Sequence, residues 1–218
     1  MDGFSDYLNP NVTIDEYLER EYDRTKVSPG QKNDLNIFLR PLRLKNPATF
    51  EHSVRVGMHS RHIGIVTSFD QNALLYAGLL HDVGKAQTRP ETLRKTTDWT
   101  PADTKEVMRH VMDGYRLIRG YFDFSAEIIL WHHRFQAYGY PVKLPAPLHG
   151  YSRGTKVTIA MYGRMLALAD CFDALHRVNE KFGEKQALTS GQIKEKMLEL
   201  NPDQRKLIER LYETRVFV

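Results

Sequence analysis

Residues 72–85 read NALLYAGLLHDVGK, and this stretch decides how the whole chain is interpreted. Its first part, rich in alanine and leucine, predicts a buried helix that ends at His81 and Asp82. Adjacent residues on an ideal helix point about 100° apart, so both side chains reach one site only near a helix end or a bend. Gly84 supplies that bend. Because an imidazole beside a carboxylate suits a divalent ion of borderline hardness, this helix end is a candidate metal site.

Helix signals recur along the chain, and neither a strand-rich pattern nor an internal repeat is visible. Capping sequences begin at Thr13, Thr100, Thr189 and Asn201. We therefore predict an all-α bundle of about eight or nine helices with a metal centre in its core. The expected helices cover residues 13–25, 32–39, 48–68, 72–80, 100–119, 125–134 and 156–178, and two more begin near residues 189 and 201.

The chain is expected to form one domain with a short appendage. Residues 1–30 predict an N-terminal helical extension, which ends at the break Ser28-Pro29-Gly30. Residues 31–218 would then form the catalytic domain. Residues 137–154 hold several glycines and prolines and predict a long loop, which in a compact domain is often functional.

Composition excludes several classes of protein. The 218 residues carry a formal net charge of +4, which agrees with an anionic substrate but also with many unrelated proteins. No long lysine or arginine run predicts binding to a long nucleic acid. The longest apolar run, residues 73–80, is too short for a bilayer, which needs ~20 residues. Since Cys171 is the single cysteine and no secretory signal is visible, we expect a cytoplasmic protein without disulfides.

Further candidate metal ligands lie far apart in the sequence. His132 and His133 form a second adjacent pair, and His52 and His110 fall on separate predicted helices. Asp170 follows the apolar run MLALA, where an unpaired buried carboxylate would be costly. Inward-facing His and carboxylate side chains from several helices build metal centres in helical bundles. The other four histidines are expected to pack or face solvent: His59, His62, His149 and His176.

In these motifs the chain resembles the HD superfamily of phosphohydrolases and, within it, the HD-GYP phosphodiesterases. The resemblance covers about residues 50–175 and follows the family's order and approximate spacing. It rests on EHSVRV at 51–56, HDVGK at 81–85, RPETL at 89–93, Thr100-Pro101, His110, His132-His133, Gly139-Tyr140-Pro141 and RMLALADCFDAL at 164–175.

The resemblance implies a set of metal ligands. His52, His81, Asp82 and Asp170 would hold one ion, and His110, His132 and His133 a second, with Asp82 bridging the two. A third ion is not expected, because Ala48 stands where some members have a glutamate. Iron or manganese would be the foremost metals, and zinc or nickel would also fit. A hydroxide shared by both ions would attack the phosphorus.

The resemblance also implies contacts with substrate. Lys85 would be a point charge for the phosphate and acts with Asp82 as the catalytic pair. The triplet Gly139-Tyr140-Pro141 would shape the mouth of the site, where Tyr140 offers a ring to a base, and Arg134 would contact substrate. We expect Asp173, three residues after Asp170, to orient a ligand or Lys85.

The chain departs from the family pattern beside the expected substrate site. Arg134 stands where an acidic residue usually follows the histidine pair, and residues 136–138, QAY, replace an Asp-Gly. The segment between residues 141 and 164 is about ten residues longer than usual. It carries four basic or titratable residues, Lys143, His149, Arg153 and Lys156. These departures lie beside the expected substrate and not among the expected ligands.

Three functions remain open at this stage. The first is hydrolysis of a cyclic dinucleotide, cyclic di-GMP or a cyclic GMP-AMP, by a metal-dependent phosphodiesterase. The second is a nucleotidase or phosphomonoesterase, which the altered loop motivates. The third is a receptor that binds a cyclic dinucleotide without turnover. The partner in each case is a small nucleotide, and the N-terminal helix would be the surface for a second copy or a regulatory protein.

Overall fold

A computed structural model of the chain describes residues 12–95, 97–176 and 187–218. Over these residues the chain is helical and contains no strand, which confirms the predicted all-α class. A 3₁₀ turn covers Val83–Gln87, and a second covers Pro202–Gln204. The α-helices are α1 Ile14–Arg24, α2 Pro29–Lys45, α3 Pro47–Thr67, α4 Gln71–Leu80, α5 Pro90–Arg94, α6 Pro101–Met108, α7 His110–Ile118, α8 Asp123–Ile129, α9 Arg153–Leu175, α10 Ser190–Leu200 and α11 Arg205–Glu213.

Local capping chemistry sets most of the helix starts. The side chains of Thr13, Ser28, Thr100 and Thr189 each accept a hydrogen bond from the backbone of the third residue that follows. The side chain of that third residue returns a bond to the cap backbone in every case, which completes a capping box. The predicted starts near residues 13, 100 and 189 are therefore confirmed.

Helix α2 is longer than its prediction, residues 32–39. It begins at Pro29 behind the Ser28 cap and continues past Pro41 to Lys45. Burial of Leu35, Leu39 and Leu42 along one face explains the continuation, because the packed face offsets the backbone bond that a proline removes.

The single helix predicted over residues 100–119 is wrong. The chain forms two helices that meet at Arg109, and α7 begins with His110. The 3₁₀ turn packs against this break so closely that a Cβ atom on Gly84 would lie 2.0 Å from the carbonyl oxygen of His110. Tertiary packing of two segments therefore places the break, and capping signals within residues 100–119 do not show it.

Helices α3, α4 and α9 bring the candidate ligands together. Gly57 of α3 and Gly78 of α4 meet at the crossing of their helices, where a Cβ on Gly78 would lie 2.5 Å from the Cα of Gly57. Only glycine permits this approach. The crossing carries His52 of α3 toward the C-terminal end of α4, where His81 lies.

Helix α1 packs on α3 through a buried ion pair. Glu21 is fully buried, and its carboxylate lies 3.0 Å from Arg61 Nη1 of α3 and 2.7 Å from Arg24 Nη1. Tyr22 is also fully buried and belongs to the hydrophobic core. Residues 14–24 are thus integrated with the bundle, and the boundary at residue 30 stays a prediction.

Replacing Arg61 with leucine is expected to destabilise the protein by about 3 kcal/mol, because the buried Glu21 carboxylate would lose its interhelical partner and keep only Arg24. Urea unfolding followed by circular dichroism measures this loss. The double variant Glu21→Leu/Arg61→Leu is the control, since removing both charges is often neutral. Equal losses in the single and double variants would show that the lost side-chain packing, not the stranded charge, causes the effect.

Residues that follow α10 and α11 pack against α9. The buried guanidinium of Arg164 forms two hydrogen bonds with the Asp203 carboxylate, at 3.0 and 2.6 Å, and one with Asn201 Oδ1 at 2.9 Å. The rings of Phe172 and Phe217 stack with their centroids 4.0 Å apart.

No helix in the described ranges has both the length and the apolar character needed to cross a bilayer.

Candidate metal centre

Seven polar side chains from five parts of the fold converge in the bundle core. His52 lies within α3, and the other six lie at or near helix ends. All seven are buried or partly buried. Asp170 comes from α9, and the histidine pair lies in the turn that follows α8. The seven are the predicted set: His52, His81, Asp82, His110, His132, His133 and Asp170.

The first group consists of His52, His81 and Asp170. Its ligand atoms lie within 4.8 Å of one another. Asp170 Oδ1 is 3.2 Å from His52 Nε2 and 3.9 Å from His81 Nε2. These three side chains could therefore hold one ion.

The second group consists of His110, His132 and His133, whose ligand atoms also lie within 4.8 Å of one another. The Nε2 atoms of His110 and His132 are 3.3 Å apart. Two nitrogens that share one ion at 2.0–2.1 Å are roughly 3 Å apart, so this separation suits a common metal.

Asp82 lies between the two groups. Its Oδ1 is 3.3 Å from His110 Nε2, and its Oδ2 is 3.4 Å from His81 Nε2 and 3.6 Å from His52 Nε2. The side chain is almost fully buried. One carboxylate thus presents an oxygen to each group, as the predicted bridging role requires.

The hydrogen bonds of the outer ring nitrogens fit metal ligation. The Nδ1 atoms of His81, His110 and His132 donate to the carbonyl oxygens of residues 78, 107 and 129, at 2.6–2.7 Å. Their Nε2 atoms are then unprotonated, and two such lone pairs face each other between His110 and His132. Among the described residues, His81 Nε2 and Asp82 Oδ1 are buried without a hydrogen-bond partner. A cation would satisfy these atoms, so the donor set fits divalent metal ions.

Protonation states agree with this fit. Burial lowers the pKa of His81 to about 4 and that of His110 to about 3, so both rings are neutral near pH 7. Burial opposes ionisation of Asp82, but His81, Lys85 and His110 together hold its pKa well below its usual value. Neutral imidazoles and an ionised carboxylate are the forms that bind a metal.

One known protein family matches the part of the chain that holds these side chains. The sequence model described as "HD domain" matches residues 49–175, which include all seven side chains. The chain belongs to the HD domain family.

Three curated relatives are similar in sequence to part of this HD-domain chain. One is the 3'3'-cGAMP-specific phosphodiesterase 1 of Vibrio cholerae, 29% identical over 60% of this chain and 30% of the relative. The second is a cyclic di-GMP phosphodiesterase of Thermotoga maritima, 30% identical over 58% of this chain and 34% of the relative. The third is the cyclic di-GMP phosphodiesterase PA4108 of Pseudomonas aeruginosa, 31% identical over 69% of this chain and 36% of the relative. The chain spans about a third of the length of these relatives.

A solved structure confirms the HD fold. It is the crystal structure of the HD domain of the Listeria monocytogenes phosphodiesterase PgpH, with a TM-score of 0.59. The match covers 82% of this chain and 95% of that domain at 15% identity. Helical packing is therefore shared, whereas the sequences have diverged.

Asp173 contacts the outer ring nitrogen of His52. Its Oδ2 accepts a hydrogen bond from His52 Nδ1 at 2.7 Å, and Arg55 Nε donates to its Oδ1 at 2.6 Å. Of the two predicted roles for Asp173, the structure places it on a ligand and not on Lys85. Sequence reasoning missed Arg55, although its position three residues after His52 on one helix face was a usable signal.

The predicted substrate residues Arg134, Gly139 and Tyr140 contact one another or His133 in the segment that follows the histidine pair. The Tyr140 ring stacks on the His133 imidazole, with centroids 4.5 Å apart and planes 25° apart. Arg134 Nη1 donates to the carbonyl oxygens of Pro141 and Val142, so Arg134 holds the turn that follows Tyr140. Gly139 has no room for a Cβ, which would lie 2.4 Å from the Arg134 carbonyl oxygen. Contact of these residues with substrate stays a prediction.

Two of the four basic or titratable residues in the long segment lie far from Asp170. Arg153 and Lys156 are in the first turn of α9, whereas Asp170 is near its end. At 1.5 Å per residue, 17 and 14 residues correspond to about 26 and 21 Å along the helix axis. Arg153, expected in the loop, lies in the helix because α9 begins three residues before the predicted start at residue 156. His149 donates to Asp123 at 2.9 Å and is exposed.

The remaining histidines pack as expected. His59 is buried edge-on against Phe172, with ring centroids 5.0 Å apart. His62 donates from Nδ1 to the Met58 carbonyl oxygen, and His176 donates to that of Phe172. None of these three belongs to the ligand groups found in the described part of the chain.

Proposed function

We propose that this chain is a metal-dependent phosphodiesterase that hydrolyses a cyclic dinucleotide and binds two divalent ions. The observation that carries this proposal is Asp82, one buried carboxylate with an oxygen toward each of two histidine groups. When bound, a pair of divalent ions neutralises charge on a phosphate and lowers the pKa of water. The curated relatives, which are named as phosphodiesterases of cyclic dinucleotides, support the substrate class.

The chain's own residues would hold and position the reacting groups. His52, His81, Asp82 and Asp170 would hold one ion. His110, His132 and His133 would hold the other, with Asp82 shared. Iron and manganese are the foremost candidates.

Lys85 would bring a positive charge to the entering phosphate. Its Nζ lies 2.5 Å from Asp82 Oδ2, and its side chain is 19% exposed, so it stands between the buried carboxylate and the surface. Tyr140 would cover the second group and exclude water there, because its ring lies flat on His133. The Gly139-Tyr140-Pro141 turn supports assignment to the HD-GYP subfamily.

The test is turnover of defined nucleotides. The chain is loaded with Fe²⁺ or Mn²⁺ without oxygen and incubated with cyclic di-GMP, 3'3'-cGAMP and a panel of mononucleotides, and products are separated by chromatography. We expect linear dinucleotides. Release of phosphate from mononucleotides alone would support a phosphomonoesterase. Tight binding of a cyclic dinucleotide without product would support a receptor.

Asp173→Asn is expected to lower the affinity of the centre for Mn²⁺ by about 10–100-fold, because the neutral amide holds the His52 ring less firmly than the carboxylate does. Calorimetric titration measures the change. Asp203→Asn is the control, since Asp203 is ion-paired with Arg164 away from the ligand groups. An unchanged affinity in Asp173→Asn would contradict the orienting role.

Two further predictions belong to this proposal. A second copy or a regulatory protein would bind through the N-terminal helix, although part of α1 is already buried against α3. A cytoplasmic location, expected from the single cysteine, stays a prediction.

A further inference from the structure

His133 differs from the other ligand histidines in the partner of its outer nitrogen. Three of the others donate Nδ1–H to backbone carbonyls, and His52 donates to the Asp173 carboxylate. Carbonyl and carboxylate oxygens only accept, so they hold those four rings in the tautomer whose Nε2 can bind a metal. The partner of His133 Nδ1 is the amide nitrogen Nε2 of Gln136, at 2.9 Å.

An amide side chain can either donate or accept. With its NH₂ group toward His133, Gln136 donates to Nδ1, and the ring proton is then on Nε2. With its oxygen toward His133, Gln136 accepts from Nδ1–H, and Nε2 keeps a free lone pair. Because Nδ1 faces Gln136, Nε2 is the atom left for an ion, so only the second orientation makes His133 a ligand.

Gln136 and His133 are less buried than the other ligand histidines. Gln136 is exposed, and His133 is partly buried, whereas His52, His81, His110 and His132 are buried. Gln136 lies between the histidine pair and the Gly139-Tyr140-Pro141 turn. Tyr140 stacks on one face of the His133 ring, and His132 lies against it with centroids 4.0 Å apart. These contacts restrict the ring plane but leave the choice of tautomer to Gln136.

We propose that Gln136 is a positioning residue that sets the tautomer of His133 and so controls metal affinity at the second group. This inference rests on the proposed function, in which both groups bind ions. It makes the His110, His132 and His133 group the weaker and more exchangeable of the two. The first group has no such dependence, because Gly78 and Asp173 hold its histidines with oxygens that only accept.

The test compares an acceptor with a donor at one position. Gln136→Glu leaves only acceptor atoms beside His133, whereas Gln136→Lys leaves only donors. Ala137→Glu and Ala137→Lys are the matched controls, because Ala137 is the exposed neighbour and carries the same added charge without the hydrogen bond. All variants are full-length chains titrated with Mn²⁺ by calorimetry.

We expect two Mn²⁺ equivalents in the unmodified chain, with the second weaker. In Gln136→Glu the second equivalent should bind about tenfold more tightly, and in Gln136→Lys about tenfold more weakly, relative to the matching Ala137 variants. The first equivalent should change no more than it does in those controls. Equal effects at positions 136 and 137 would overturn the inference, because added charge alone would explain them.

A second measurement reads the tautomer directly and needs no metal. Long-range ¹⁵N–¹H spectra of the imidazole rings distinguish Nδ1–H from Nε2–H, and a His133→Gln variant assigns the His133 signal. Gln136→Glu should place the proton on Nδ1, and Gln136→Lys on Nε2. The same tautomer in both variants would overturn the inference. Absence of any Mn²⁺ binding would contradict the proposed function instead, and these spectra would still decide the role of Gln136.

Discussion

Asp82→Asn is expected to abolish occupancy of both ion positions and to reduce turnover by a factor on the order of a thousand or more, about 4 kcal/mol of transition-state stabilisation. Asparagine keeps the size of the side chain but removes the charge and replaces one oxygen by a donor. That donor would face His110 or His81, whose Nε2 atoms are 3.3 and 3.4 Å away. Lys85 would also lose its partner.

Metal analysis after dialysis and product chromatography measure these two losses. Asp103→Asn is the matched control, because Asp103 is also buried and ion-paired with a lysine, Lys95, at 2.7 Å, but belongs to none of the ligand groups. We expect the control to keep its metal and its turnover. A fully occupied and active Asp82→Asn variant would remove the basis for a shared carboxylate.

Gly84→Ala is expected to destabilise the fold by about 3 kcal/mol or more and to disrupt the second ligand group. The added Cβ would lie 2.0 Å from the carbonyl oxygen of His110 and 2.5 Å from the amide nitrogen of Gly114. Both atoms belong to the backbone of α7, so no side chain can rotate away. Helix α7 would have to shift, and its first residue, His110, would move from Asp82.

Thermal unfolding and Mn²⁺ titration measure the two effects of Gly84→Ala. Gly30→Ala is the control, because a Cβ at Gly30 meets no atom within 4 Å in the described part of the chain. Gly30 lies in the first turn of α2, where alanine should be neutral or stabilising by up to about 1 kcal/mol. A Gly84→Ala variant as stable as Gly30→Ala would show that α7 can shift without loss of stability.

Prediction from the sequence succeeded where a few neighbouring residues carry the signal. Capping boxes mark helix starts because the side chain and backbone that bond are three residues apart. It failed where distant segments compete with local preference. Pro41 lies inside α2 because one face of that helix is buried, and the break at Arg109 occurs where Gly84 packs against it.

The candidate metal site shows the same division between features that the sequence predicts and features that it does not. Their chemical types and motif order are visible in the sequence, and all seven converge in the fold. The supporting contacts are not visible, because Arg55 and Asp173 are 118 positions apart and meet only when α3 packs on α9. Whether Arg153 lies in the loop or in α9 likewise depends on where that helix begins.

The sequence by itself determined that this protein is helical, where most of its helices begin, and which residue types could bind metal, since each follows from composition or from short-range spacing. Only the tertiary structure decided that Asp82 lies between both groups, which nitrogen of each histidine faces inward, and that Gln136 contacts His133. These features depend on the relative placement of helices, which is set by the burial of side chains from the whole chain against one another.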